Sequence, residues 1–108
     1  MNPITWQDFE KVSLNIGTIV AAEIYAEAKR PAYVIHVDLG SELGIKKSSA
    51  QVTKLYTTEA LIGKQVMCVT NFPPKQIGKL MSEVLITACP DENADIDYLE
   101  YNWGLNSQ

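Results

Sequence analysis

Five short strand-like segments, with one helix-forming run between the third and the fourth, constrain this chain more than any composition figure. In Val12-Ser13-Leu14-Asn15-Ile16-Gly17-Thr18-Ile19-Val20, the residues Val12, Leu14 and Ile16 alternate with polar neighbours. That period of two predicts a half-buried strand, and Gly17 offers a point to bend or bulge. In a second strand over residues 32–39, Tyr33, Ile35, Val37 and Leu39 share one face, while Val34, His36 and Asp38 share the other. Gly40-Ser41-Glu42-Leu43-Gly44 turns the chain into a more polar third strand, residues 45–53. Thr57-Thr58-Glu59-Ala60-Leu61-Ile62-Gly63 then supplies a hydroxyl cap, a short helical run and a glycine stop. Residues 65–72 and 83–89 are strands four and five. Ahead of all of them, Thr5-Trp6-Gln7-Asp8 has the form of a capping box and predicts a helix over residues 6–11.

Three strands, a helix and two strands is the order of the OB-fold, a small Greek-key barrel. The fold class expected is therefore all-β: a five-stranded OB-fold barrel with a short N-terminal helix, a second helix between strands three and four, and a C-terminal extension. At 108 residues the chain has length for one such domain, spanning residues 1–108. These barrels bind ligands on strands two and three, between the loops that join strands one to two and four to five. In this chain those loops carry Lys29 and Arg30, and Lys75 and Lys79; the third strand adds Lys46 and Lys47.

Charge is distributed to match. The net charge is −4, yet residues 29–79 hold eight cations against three anions, while residues 80–108 hold six anions and no cation. An acidic protein with a basic middle can bind a phosphate chain when those cations share a face. Catalytic signatures are missing from the sequence. His36 is the lone histidine, Cys68 and Cys89 have no C-x-x-C or metal-ligand spacing, and no paired-carboxylate or phosphate-loop motif occurs. No enzymatic activity, cofactor or metal is expected, and both cysteines read as reduced thiols. No run approaches the roughly 20 apolar residues of a membrane span, and the first residues lack a signal-peptide pattern, so a cytoplasmic protein with no membrane insertion is expected.

The stretch from Asn71 to Leu85 is too long for a plain hairpin, which needs two to five turn residues. Two chemistries fit it. Lys75 and Lys79 can contact phosphates while Asn71 and Ser82 offer hydrogen bonds to sugar or base edges. Alternatively, Phe72, Pro73, Pro74, Ile77, Leu80 and Met81 form an apolar lip for varied peptide segments, unless Phe72, Ile77 and Leu80 fold back to plug the barrel's end. Glu83 repels phosphate, so an anchoring role, accepting backbone N–H groups, suits it better than RNA contact. His36 lies on the presumed ligand face, and Tyr33 and Tyr56 read as core.

Several ordered segments resemble one family. Asn15-Ile16-Gly17-Thr18-Ile19-Val20, Ser48-Ser49-Ala50-Gln51-Val52-Thr53-Lys54-Leu55-Tyr56, Leu61-Ile62-Gly63-Lys64-Gln65-Val66, and Asn71-Phe72-Pro73-Pro74 followed by Ser82-Glu83-Val84-Leu85 look like the tRNA-binding domain family, over about residues 8–88. Such modules are also appended to some aminoacyl-tRNA synthetases. Glu27-Ala28-Lys29-Arg30-Pro31-Ala32-Tyr33 and the Ser-Ser-Ala-Gln run resemble its protein-export chaperone branch, the CsaA type. The resemblance implies a non-enzymatic homodimer that binds tRNA-like nucleic acid or, alternatively, unfolded preprotein segments bound for the export machinery. It also implies RNA contacts near Ser49, Asn71, Lys75, Ser82 and Glu83. The chain departs from the family pattern at Ser13 and Asn15, where an acid and an arginine are usual, and in its acidic, aromatic tail.

In that tail Leu99, Tyr101, Trp103 and Leu105 alternate, as do Ile96 and Tyr98, giving more apolar surface than a free end should expose. They are expected to add a strand or cover a partner subunit at a dimer interface. Deleting residues 96–108 is therefore expected to lower the assembly state; an unchanged dimer by light scattering would sink that assignment.

Overall fold

The structure, a computed structural model, describes residues 2–53, 55–90 and 97–98. Its first element begins at the capping box. Thr5 Oγ1 accepts the Asp8 N–H at 3.0 Å and Asp8 Oδ2 accepts the Thr5 N–H at 3.1 Å, which satisfies two end donors of helix α1 (Trp6–Glu10). Helix α2 (Thr58–Leu61) starts on the same logic, with Thr57 Oγ1 accepting the Ala60 N–H at 3.1 Å. Among the described residues no helix is long and apolar enough to cross a membrane.

The strands are β1 (Leu14–Ile24), β2 (Tyr33–Asp38), β3 (Ile45–Ala50), β4 (Gln65–Val69), β5 (Lys75–Ile77), β6 (Leu80–Ser82), β7 (Leu85–Ile86), β8 (Cys89–Pro90) and β9 (Asp97–Tyr98). Five of them form one antiparallel sheet in the order β3-β2-β1-β4-β7. The long β1 serves two partners: residues 14–18 pair with β4, and residues 18–24 pair with β2. Its register slips between Ile19 and Ala21, the mark of a bulge, and such a kink helps curl the sheet. Curling brings β3 to the end of β6 and the residue after it. There the Glu83 N–H donates to Lys47 O at 2.8 Å, the Lys47 N–H donates to Glu83 Oε1 at 3.1 Å, and the Ser49 N–H donates to Ser82 Oγ at 3.2 Å. The result is a nearly closed five-stranded barrel of OB-like order.

Its interior is filled by Ile19, Ile35, Val37, Leu61, Val66 and Cys68, each essentially without exposed surface, with Tyr33, Val52, Val84 and Ile86 around them. Each large aliphatic group buried this way contributes about 1.5–3 kcal/mol. Leu61 comes from α2, whose following Gly63 (φ +89°) donates its N–H to Ile19 O at 2.8 Å. Cys68 is a free, buried thiol whose pKa is pushed up to about 11 by burial, which disfavours the thiolate.

The structure differs from the sequence expectation at three points. The apolar alternation of the first strand faces out: Leu14 and Ile16 are 41% and 55% exposed, while Gly17 and Ile19 face in. The reason is Gly17, against which Val37 and Leu39 of the inner face of β2 and its continuation pack; Asn15 on the same inner side is held at 2.7 Å to Thr70 Oγ1. Strands three and four end early, at Ala50 and Val69. The expected fifth strand gives the main sheet only Leu85–Ile86, and the stretch before it is a hairpin rather than an open loop.

At Gly17 an added Cβ would run into Val37 Cγ1 and lie 2.7 Å from Leu39 Cδ2 and 3.0 Å from the Asp38 carbonyl. Gly17→Ala is therefore expected to destabilise the fold by about 1–3 kcal/mol, measured by urea unfolding, because the backbone on one side cannot give way.

Candidate nucleic-acid interface

Between β3 and the 72–85 stretch lies a cleft of ≈ 510 Å³. Ser48, Ser49 and Gln51 line it from the β3 side. Phe72, Pro73, Lys75 and Ile77 line it from the hairpin side, and Ser82, Glu83, Val84 and Leu85 from the closing segment. The cleft lies beside a seam in which β3 is closed onto Ser82 and Glu83 by four hydrogen bonds, three of them to side-chain oxygens, instead of by a continuous ladder. On the far side of the seam, Leu85 and Ile86 pair with Val69 and Cys68 of β4.

The hairpin β5–β6 turns at Gly78-Lys79, with Gly78 at φ +63°, as two-residue hairpin turns require. Tyr25, at the end of β1, holds that tip. Its hydroxyl donates to Ile77 O and accepts the Lys79 N–H at 3.2 Å. A Cβ on Gly78 would stand 2.6 Å from this hydroxyl, so glycine is needed there for both conformation and approach. Beneath, Ile77 and Leu80 pack on a small second core of Tyr25, Ala32 and Val34. Lys79 Nζ also lies 3.4 Å from Glu27 Oε2, a solvent-exposed pair. The two loops that flank the ligand face of an OB-fold are thus tied to each other.

This geometry sorts the residues singled out from the sequence. Lys29, Arg30, Lys75 and Lys79 are all exposed on these two loops. Lys46 and Lys47 are split by the pleat: Lys47 pairs with His36 on the outer face, whereas Lys46 pairs with Val37, a core residue. Ser49, Ser82 and Glu83 meet at the cleft, and the last two are already hydrogen-bonded to β3 backbone N–H groups. Asn71 lies apart from them. Its Oδ1 accepts the Ser13 N–H at 2.9 Å and its Nδ2 donates to Lys11 O at 2.7 Å, fastening the N-terminal segment to the end of β4. Of the apolar set, Ile77 and Leu80 fold back onto the second core, while Phe72 (53%) and Met81 (42%) stay exposed; Pro73 and Pro74 are exposed beside them. His36 Nδ1 is buried with no hydrogen-bond partner among the described residues. Leu99, Tyr101, Trp103 and Leu105 lie outside the described residues.

Sequence reasoning missed Tyr25. The signal available was Ile77-Gly78-Lys79-Leu80, a Gly-X turn flanked by apolar residues, which predicts the hairpin but not what pins it. Among the described residues no cluster of His, Cys, Asp or Glu could hold a metal ion.

Residues 14–103 match the family model tRNA_bind, described as "Putative tRNA binding domain". The chain belongs to the tRNA-binding domain family. Crystal structures of two CsaA chaperones superpose on it. The Picrophilus torridus protein is 38% identical with a TM-score of 0.86, covering 94% of this chain and 92% of that one. The Bacillus anthracis protein is 42% identical with a TM-score of 0.83, covering 92% and 88%. The methionine–tRNA ligase of Pyrococcus furiosus is 33% identical over 91 residues, which is 84% of this chain but 12% of the ligase. The match to that enzyme is therefore confined to a small part of its length.

Tyr25→Phe removes both hydrogen bonds at the hairpin tip and leaves its ring in the second core. The expected outcome is a loss of about 1–2 kcal/mol in urea unfolding together with faster hydrogen exchange at the Lys79 amide.

Proposed function

We propose that this chain is a non-enzymatic tRNA-binding protein of the CsaA type, acting in the cytoplasm as a homodimer. The observation that carries the RNA assignment is the pair of tied basic loops, Lys29 and Arg30 on one and Lys75 and Lys79 on the other, in a member of a tRNA-binding family. Tying the hairpin tip to the start of the first loop limits how far the two loops can move apart before any ligand arrives, which lowers the ordering cost of binding a phosphate backbone. Lys47 on the outer face of β3 extends the basic surface toward Ser49. Glu27 beside Lys79 moderates it.

Dimerisation would double this charge and let one protein span a folded RNA. The outer face of the barrel supports it: Leu14 and Leu85 flank the buried Val69 as cross-strand neighbours on β1, β4 and β7, with Ile16 beside them, and Leu14, Ile16 and Leu85 are about half exposed. The tail residues Leu99, Tyr101, Trp103 and Leu105 remain the proposed partners of such a surface.

One observation favours a second reading. The exposed Phe72 and Met81, with Pro73 and Pro74, give the cleft an apolar lip, and the superposed structures are of chaperones. In that reading the same surface takes unfolded preprotein segments for delivery to the export machinery.

Salt separates the two. Labelled tRNA titrated at about 50 and 200 mM salt should bind with a steep salt dependence, since each phosphate contact adds roughly 0.7–0.9 to the slope of log K against log salt. Replacing Lys29, Arg30, Lys75 and Lys79 by Ala should flatten that slope by about 3 and weaken binding at least tenfold at low salt. Binding of an apolar peptide that persists at high salt, with none of tRNA at low salt, would leave the chaperone reading standing alone.

A further inference from the structure

The cleft between β3 and the β5–β6 hairpin is larger than a few phosphate contacts need, and its chemistry is mixed in an informative way. Part of its lining is apolar: Phe72, more than half exposed, with Pro73 and Leu85. Part of it carries polar groups without partners among the described residues: Ser49 Oγ, the Gln51 amide and the second carboxylate oxygen of Glu83, whose first oxygen accepts the Lys47 N–H. Lys75 stands at the rim with no ion pair among the described residues.

We propose that this cleft receives a single unstacked nucleobase, stacked on Phe72, with its amino edge toward Glu83 and its phosphate on Lys75. The inference rests on the tRNA reading and goes beyond it, because it assigns the RNA a single-stranded or loop nucleotide at a defined place. An apolar peptide side chain would bury the Glu83 oxygen and the Gln51 amide without partners, at a desolvation cost. A base answers each group at once: a π-face for the aromatic ring, a polar edge for the floor and a flanking anion for the rim lysine.

Glu83 sets the preference. A carboxylate oxygen only accepts, so it bonds an exocyclic amino group and repels a carbonyl at the same position. Cytosine and uracil differ there, the amino N4 of one standing where the other has the carbonyl O4. Glu83→Gln keeps an oxygen for the Lys47 N–H, which preserves the barrel closure, and turns the second position into a donor.

The test is fluorescence anisotropy of end-labelled 12-nucleotide oligo(rC) and oligo(rU) with the full chain, with tRNA and an unlabelled apolar heptapeptide titrated in parallel. Oligo(rC) should bind about tenfold tighter than oligo(rU), and Glu83→Gln should abolish or reverse that difference. Phe72→Ala should weaken oligo(rC) on the order of tenfold and Phe72→Tyr should restore it, with circular dichroism confirming the fold of each variant. Equal binding of the two oligomers, a preference that survives Glu83→Gln, or indifference to Phe72→Ala overturns the base site, and the tRNA reading stands if tRNA still binds. Loss of tRNA binding in the unaltered protein overturns both. Heptapeptide binding that depends on Phe72 while oligo(rC) binding does not would make the cleft a peptide groove.

Discussion

The closure of β3 onto the end of β6, at Ser82 and Glu83, is the contact on which the rest of this structure depends. A curled five-stranded sheet has two edges to reconcile, and a full ladder would seal them. Here the seam consists of Glu83 and Ser82 bonded to the backbone of Lys47 and Ser49, with a main-chain bond returning from Glu83. Side-chain bridges are longer than ladder bonds, so the seam holds the barrel shut at one point and leaves a cleft beside it. The barrel's seam and its candidate binding surface adjoin, and Ser82 and Glu83 belong to both.

Electrostatics and rigidity act together at that surface. The chain is acidic overall, and its cations matter only because the fold gathers four of them on two neighbouring loops. Tyr25 keeps those loops in fixed relation through a buried ring and two hydrogen bonds, while Ile77 and Leu80 are used up in packing beneath the hairpin. Phe72, Pro73, Pro74 and Met81 are thereby left as the exposed members of the apolar set. Residues adjacent in sequence thus divide between holding the platform and facing a ligand.

Much of this architecture is legible in local signals. The capping hydroxyls of Thr5 and Thr57, the glycine stop at Gly63, and the alternation of Tyr33, Ile35 and Val37 are decided within a few residues, and the structure follows them. The first strand shows the limit of such reading. With Leu14 and Ile16 on one side and Gly17 and Ile19 on the other, a period of two identifies two faces without saying which one is inward. Contact with Val37 and Leu39 decides it.

The sequence by itself determined the number and order of the main strands, both helices, and the loops that carry the cations, because caps, turns and periodicity act over short range. Tertiary structure alone decided that Lys46 lies opposite core Val37 while Lys47 lies opposite His36, that Asn71 fastens the N-terminal segment, that Glu83 bonds a backbone amide 36 residues away, and that Tyr25 reaches 52 residues to the hairpin. Each of those outcomes depends on which strand lies beside which. That neighbourhood is set by barrel closure, and no local pattern encodes it.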